Sequence, residues 1–249
     1  MYKGKKIVVV LPAYNADLTL SQVYHKIPKD IVDEILLVDD ASSDSTVKLA
    51  KELGIEVFCH KKNLGYGANQ KTCYDKALKK NPDIVVMLHP DYQYPPERIP
   101  DLIRPIAEGR ASLCLGSRIT TREEVLAGKM PLYKYIANRF LTLVENFITG
   151  QNLSEWHTGF RAFSADFLKK IPYKLNSNDF VFDTQILLQA VSIKARIEEI
   201  KVPAKYFKEA SSINFKRSLK YGILTLWYLL RWLLHYKLCL IKYKPFQIF

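Results

Sequence analysis

The chain has 249 residues, 48% of them apolar, enough to bury a substantial core in one large domain, and its ten glycines and twelve prolines form no repeat or low-complexity run, which excludes solenoid, collagenous and disordered architectures. Its 37 basic against 25 acidic residues give a formal charge of +12, which calls for an anionic partner: nucleic acid, a phospholipid surface or a phosphorylated substrate. Zinc-finger spacings and aromatic-interleaved RNA motifs are absent, so a dedicated nucleic-acid binder is not expected.

Ile7–Leu11 is a continuous apolar run, followed by Pro12-Ala13-Tyr14-Asn15 and a helical pattern through Leu18, Val23 and Ile27. The order recurs. Glu34–Val38 reads as a strand, Asp39–Ser43 as a polar loop, and Asp44–Leu53 as a helix with Ser43 or Asp44 placed to cap it. Further strands are predicted at Ile55–Phe58, Ile84–Leu88 and Ser112–Leu115, with helices at Tyr66–Lys79 and Arg98–Ala107 between them. Runs apolar throughout, alternating with helices, indicate parallel strands covered on both faces, an α/β Rossmann-like sheet. After Gly116 the pattern turns mainly helical, at Leu132–Ile148 and Phe180–Val191, with one later strand at Ile197–Val202 that adds to the same sheet.

In an open parallel sheet ligands bind beyond the carboxyl ends of the strands, and polar residues stand there: Asn15 after the first strand, Asp39 and Asp40 after the second, His89 and Asp91 after the fourth. The first loop lacks GxGxxG, which disfavours hydride chemistry. Asn63-Leu64-Gly65-Tyr66-Gly67 opens a helix and is either an anion nest or a simple turn. Asp39 and Asp40 either cap the next helix or accept hydrogen bonds from a nucleobase or ribose. A carboxylate at Asp91, just past a very apolar strand, suits a hard divalent cation shared with a diphosphate. The four cysteines, Cys59, Cys73, Cys114 and Cys239, are dispersed, with no CxxC pair and no secretory signal at Met1–Lys6. They are expected to be small buried hydrophobes in a reducing cytosol.

Pro12-Ala13-Tyr14-Asn15, Val38-Asp39-Asp40-Ala41-Ser42, Asp91-Tyr92-Gln93-Tyr94-Pro95-Pro96, Gly116-Ser117-Arg118 and Thr158-Gly159-Phe160-Arg161-Ala162-Phe163 follow one another from about Lys6 to Tyr206. In order and rough spacing they resemble the motifs of family 2 glycosyltransferases, in particular the branch of dolichyl-phosphate mannose synthase and other polyprenyl-phosphate glycosyltransferases. The resemblance implies a GT-A fold over residues 1–210, a nucleoside diphosphate sugar as donor, and a divalent metal, manganese or magnesium. It implies that Pro12, Tyr14 and Asp40 hold the base and ribose, with Ala13, Asn15, Asp39 and Gly65 in the same donor set. Asp91 would bind the metal, Gln93 the sugar-phosphate region, and Arg118 the diphosphate or the acceptor phosphate. Arg161 would be a second anion contact, the alternative for either arginine being a surface ion pair. Asp183 is either an acidic residue of the acceptor side or a carboxylate favoured by a helix amino terminus. His157 reads as a solvated loop residue. Two positions depart from the family pattern. Asn15 is followed by Ala16-Asp17 where a glutamate is common, with Asp17 either taking that glutamate's place or not, and His89 stands where an aspartate is usual, either as a metal ligand better suited to manganese or as a non-ligand that hydrogen-bonds the phosphate.

Lys216–Ile241 is strongly apolar, and at about 100° per residue Lys216, Arg217, Lys220, Arg231, His235 and Lys242 fall on one side of a helix. Arg231 and Lys237 interrupt the run as a membrane span. Residues 211–249 are therefore expected to form a basic amphipathic helical segment lying on an anionic leaflet, with Trp227, Tyr228, Trp232 and Tyr236 at headgroup level. The alternative is a helix packed on its own domain or on a second subunit. The chain ends too soon for further spans, so a cytoplasmic protein attached peripherally to the inner face of the cell membrane is expected. The expected reaction is inverting transfer to a polyprenyl phosphate. The alternatives are a sugar hydroxyl in glycan assembly with Asp183 as general base, and a non-catalytic sugar-nucleotide binder in which His89 marks lost turnover.

Overall fold

Ile7–Ala13 forms β1, two residues longer than its apolar run, with all seven residues buried. The computed structural model describes residues 1–119, 130–203 and 215–247. After β1 come α1 (Asp17–Lys26), β2 (Glu34–Asp39), α2 (Thr46–Glu52), β3 (Glu56–Cys59), α3 (Tyr66–Leu78), β4 (Ile84–Met87), α4 (Ile99–Ala107) and β5 (Leu113–Ser117). The second half contributes α5 (Leu132–Thr149), β6 (Arg161–Ser164), α6 (Ala165–Lys170), α7 (Phe182–Ser192), β7 (Ile197–Lys201) and α8 (Phe215–Trp232), which runs into a π-helical turn at Leu233–Lys237. Each strand and helix expected ahead of the carboxyl-terminal segment is present, with ends displaced by no more than two residues; of the helical segment expected over 211–249, residues 215–237 are helical and 238–243 are not, while 211–214 and 248–249 lie outside the described residues. The N-cap of α2 is Ser45, without a side-chain cap, rather than Ser43 or Asp44 as expected; Asp44 instead accepts the Thr46 amide at 3.0 Å from the position before the cap.

The seven strands lie in the order β3-β2-β1-β4-β6-β5-β7. All pairings are parallel except those of β6, which is antiparallel to β4 and β5. Neither β6 nor α6 is foreshadowed in the sequence, because four residues opening on a buried arginine carry no usable periodicity. Along β1 the side chains alternate between two cores. Val8 and Val10 join Tyr74, Ile186, Leu229 and Trp232, whereas Ile7, Val9 and Leu11 join Leu20, Val23, Leu102 and Ile103. A strand that must bury both faces is apolar at every position, which is why β1 reads as an unbroken run.

The inner side of α8 packs on α5 and α7. Trp232 is fully enclosed in the first core, and its Nε1 donates to Ser192 Oγ at 2.8 Å. Of the aromatic residues expected at headgroup level, Trp232 is thus a core residue of the domain, because the helix turns this flank inward. Two of the cysteines also differ from expectation: Cys73 and Cys114 are buried, but Cys59 on the edge strand β3 and Cys239 are exposed. Among the described residues no helix is long and apolar enough to cross a membrane.

Candidate functional site

The loops at the carboxyl ends of β1 and β2 are latched together. Asn15 donates its amide to Ser42 Oγ (2.8 Å) and accepts the Ser43 amide at Oδ1 (2.9 Å), while Asp17 Oδ2 accepts the Ser45 amide (3.2 Å). Asp39 is spent in the same latch. It is buried, accepts the Ser42 amide (2.9 Å) and hydroxyl, and does not line the cleft, contrary to its expected place among the donor contacts. Asp40 does line the cleft, but its carboxylate also accepts the amides of Leu64 (2.8 Å) and Gly65 (2.9 Å) and pairs with His60 Nδ1 (2.7 Å). The glycine-loop nest therefore holds this chain's own carboxylate rather than an external anion. Gly65 adopts φ +97°, a left-handed conformation that favours glycine.

The resulting cleft, of about 680 Å³, is walled by Pro12, Ala13, Tyr14, Asn15, Asp40 and Gly65 on the sheet side and by Arg217, Lys220 and Tyr221 of α8 opposite. That volume is ample for a nucleotide, since small-molecule sites span roughly 300–1,000 Å³. Arg217 and Lys220, expected on the membrane face of the terminal helix, stand at this cleft instead, with Lys220 Nζ 2.8 Å from Asp179 Oδ2. A second, inner pocket adjoins it. Tyr66, His89, Asp91, Phe180 and Tyr221 line both, so they mark the junction where two ligands would meet.

Gly67 fits α3 to the segment that carries Phe180. Its amide donates to Asn178 O (2.8 Å), and a Cβ there would lie 2.4 Å from Ser177 O. Gly67→Ala is accordingly expected to cost about 1–3 kcal/mol, the usual penalty for overpacking, and to weaken nucleoside diphosphate binding. Thermal unfolding and calorimetric titration would show both effects, and an unchanged pair of values would mean the segment moves aside freely.

At the junction the Tyr66 hydroxyl donates to Asp183 Oδ2 (2.8 Å) and Gln70 Nε2 donates to Oδ1 (3.1 Å). Because that phenol proton is committed, His89 Nε2, 3.2 Å from the same oxygen, acts as the donor. Burial, opposed by the charges of Asp91 and Asp183, holds the imidazole pKa below its ordinary value. The neutral ring then presents its Nδ1 lone pair. Gly159 makes room for it, since a Cβ there would lie 2.9 Å from His89 Cδ2.

The two arginines differ. Arg161 is 1% exposed and its guanidinium donates to the carbonyls of Thr158 (2.7 Å), Asp183 (3.0 Å) and Trp156 (3.1 Å), with Asp183 Oδ1 3.5 Å away. It lines neither cavity, so the anion contact expected of it is corrected to an internal clamp between β6 and α7. Arg118 lines the inner pocket. Its Nε meets the fully buried Glu155 at 2.8 Å, and its Nη2 donates to His157 O (2.7 Å). Burial opposes ionisation of Glu155, but the charge and hydrogen bonds of Arg118 outweigh it and hold that carboxyl below its usual range. Lys134 of α5 shares the pocket, and burial together with the Arg118 charge holds its ammonium below the usual lysine range. His157 is not a solvated loop residue: Nδ1 lies 2.7 Å from the Tyr221 hydroxyl and Nε2 3.0 Å from the enclosed Glu145. Tyr66, Lys134, Phe180 and Tyr221 escaped sequence reasoning as site residues because nothing in their local pattern signals convergence.

Among the described residues no group of three His, Cys, Asp or Glu side chains converges as a metal cage. The donor set that faces the junction is one carboxylate, Asp91, and one neutral imidazole, His89. Such a pair fits a divalent cation that draws its remaining ligands from a diphosphate and water, and the nitrogen favours manganese over magnesium.

The glycosyl transferase family 2 model, described as "Glycosyl transferase family 2", matches residues 8–172. The UDP-N-acetylglucosamine--dolichyl-phosphate N-acetylglucosaminyltransferase of Methanococcus voltae is 29% identical over 219 residues, covering 81% of this chain and 86% of that protein. The polyprenol monophosphomannose synthase of Mycolicibacterium smegmatis is 24% identical over 209 residues, covering 80% and 77%. Among solved structures, glucosyl-3-phosphoglycerate synthase from Mycobacterium tuberculosis in complex with Mn2+, uridine-diphosphate-glucose and phosphoglyceric acid superposes with a TM-score of 0.71 at 20% identity, covering 92% of this chain and 80% of that one.

Proposed function

Because the chain belongs to glycosyl transferase family 2, and is thus a glycosyltransferase with a GT-A fold, we propose that it moves a sugar from a nucleoside diphosphate sugar to a polyprenyl phosphate with inversion at the anomeric carbon. The observation that carries the acceptor assignment is the inner pocket. Two cations, Arg118 and Lys134, face it, and the Arg118 charge acts on the Lys134 ammonium, so a phosphate set between them would ease that repulsion, while Met130, Tyr133, Leu141 and Phe180 offer apolar wall to an isoprenoid. The dolichyl- and polyprenyl-phosphate specificity named for the relatives supports the same reading.

The donor base and ribose would lie in the cleft along Pro12–Asn15 and Asp40, with Arg217 and Lys220 toward its phosphates. Asp91 and His89 would hold the divalent metal, which when bound supplies Lewis-acid neutralisation of the departing diphosphate. In a single displacement an acceptor phosphate oxygen forms a bond to the anomeric carbon as the bond to the diphosphate breaks, the electron pair leaving with the diphosphate. Tyr66, Phe180 and Tyr221 wall the junction and exclude water from it. Gln93, on the inner-pocket side, would meet the transferred sugar. The active site would work at a membrane surface, where such an acceptor resides.

A phosphate monoester has its second pKa near about 6 and attacks as a dianion without a general base. A sugar hydroxyl needs a base, worth about 10²–10⁴-fold. Asp183 is poorly placed for that work, because Tyr66, Gln70 and Arg161 already engage its oxygens. Asp183→Asn is therefore expected to leave turnover on a short-chain polyprenyl phosphate within about tenfold of the parent once lost stability is allowed for. Activity confined to sugar alcohols, or abolished by this substitution in a folded variant, would overturn the phosphate assignment.

A further inference from the structure

Neighbouring helices α5 and α8 each turn an apolar ridge to solvent. On α5, Leu132, Ile136, Phe140, Leu143 and Phe147 recur at three- and four-residue steps, so they share an arc of about 80°, opposite the buried Asn138, Leu141, Thr142 and Glu145. Phe147 is 87% exposed and Leu143 68%, values that exclude packing against their own domain. On α8, Leu219, Ile223, Trp227 and Leu230 form a second exposed ridge, with Thr225, Leu229 and Trp232 turned inward. The helices pack against each other, and Lys237 Nζ reaches Ile148 O at 2.5 Å. Isolated exposed apolar side chains are ordinary, but ridges on two adjoining helices mark an interaction surface.

The charge on this surface selects its partner. Glu145, fully enclosed, is the one acidic residue of α5, and residues 215–247 contain no aspartate or glutamate. Exposed Arg139, Lys216, Lys237 and Lys242 are the charges that accompany the ridges. A second copy of the chain, paired about a two-fold axis, would set this basic surface against its own image with no exposed carboxylate on the described residues of either helix to lie between. We propose that α5 and α8 together form a docking face for an anionic lipid bilayer, the two ridges entering the acyl boundary and the basic side chains meeting the lipid phosphates. Tyr133 and Lys134 of α5 and Ser218 and Tyr221 of α8 also wall the inner pocket, so docking brings that pocket to the leaflet. In that respect the inference rests on the polyprenyl-phosphate reading and deepens it; α5 becomes a membrane contact in its own right.

The test is cosedimentation of the full chain with vesicles of equimolar phosphatidylglycerol and phosphatidylcholine, beside vesicles of phosphatidylcholine alone. Trp227 is the exposed one of three tryptophans, Trp156 and Trp232 being enclosed, so its emission should move to the blue on the anionic vesicles; this readout needs no variant to fold. The triple variant Phe140→Asp, Leu143→Asp, Phe147→Asp should lose vesicle affinity at least about tenfold and retain turnover on a water-soluble acceptor, since none of the three residues lines either cavity. Absent vesicle binding, equal binding by the triple variant, or a dimer that the variant dissociates would overturn the proposal, the last by installing a second copy on the face. Anionic-vesicle binding lost in the triple variant supports the face even if no polyprenyl phosphate is turned over, which separates this proposal's failure from that of the acceptor assignment.

Discussion

Asp91→Ala should lower turnover by about 10³-fold or more and remove the metal dependence of nucleoside diphosphate affinity, while moving the unfolding temperature little. The carboxylate stands just beyond β4 at the junction of the two cavities, and the charge that develops on a leaving diphosphate is the largest electrostatic demand of the proposed displacement. Stability is spared because the residue faces a cavity rather than the core, where its carboxylate accepts the Gln93 amide of its own turn at 3.0 Å. Calorimetry with and without manganese reads the first effect and thermal unfolding the second. Metal-dependent affinity that survives the substitution would remove Asp91 from the metal site. His89→Asp, in the same assay, should move preference toward magnesium, since a hard oxygen replaces a nitrogen.

Arg161→Leu is expected to cost about 3–5 kcal/mol, the range for breaking a buried ion pair from one side. The loss has two parts. Asp183 keeps a buried charge without its partner, and the carbonyls of Trp156, Thr158 and Asp183 lose their donors. For a domain of this size that corresponds to a fall of roughly 10 °C in Tm. Combining it with Asp183→Asn should cost less than the sum of the two single changes, because the second removes the stranded charge. A loss below about 1 kcal/mol would mean that Arg161 is not the clamp its surroundings make it.

Residues whose role follows from position along the chain were legible. Asn15, Asp40 and Asp91 end parallel strands, and that alone places them at one rim of the sheet. Residues whose role depends on what another segment brings were not. The same pattern that announces Arg161 is silent on its burial, because the carbonyl of Asp183, brought by α7, joins those of the nearby Trp156 and Thr158 around it. Gly65 looks like an anion site until the β2 loop delivers Asp40 into it. In α8 an apolar pattern on several sides leaves open which flank faces the domain, and the packing of the helix on α5 and α7 settles it by turning Leu229 and Trp232 into the core. Lys134 entered no motif, since its significance is its nearness to Arg118.

The reversed strand β6 divides the molecule into rims with different freedom to drift. Arg161 pairs level with Met87 and Ser164 with Ile84, so the chain enters β6 at the rim where the parallel strands end and leaves it at the opposite one. Residues 154–160, which precede β6, therefore share a rim with the loops that follow β1, β2 and β4, and an insertion there would obstruct substrate. The turns at Asn81–Asp83, Gly109–Ser112 and Lys194–Arg196 lie on the far rim, touching neither cavity. Length changes between homologues should accumulate in those turns, and a purification tag or fluorescent label spliced into one of them would leave the chemistry undisturbed.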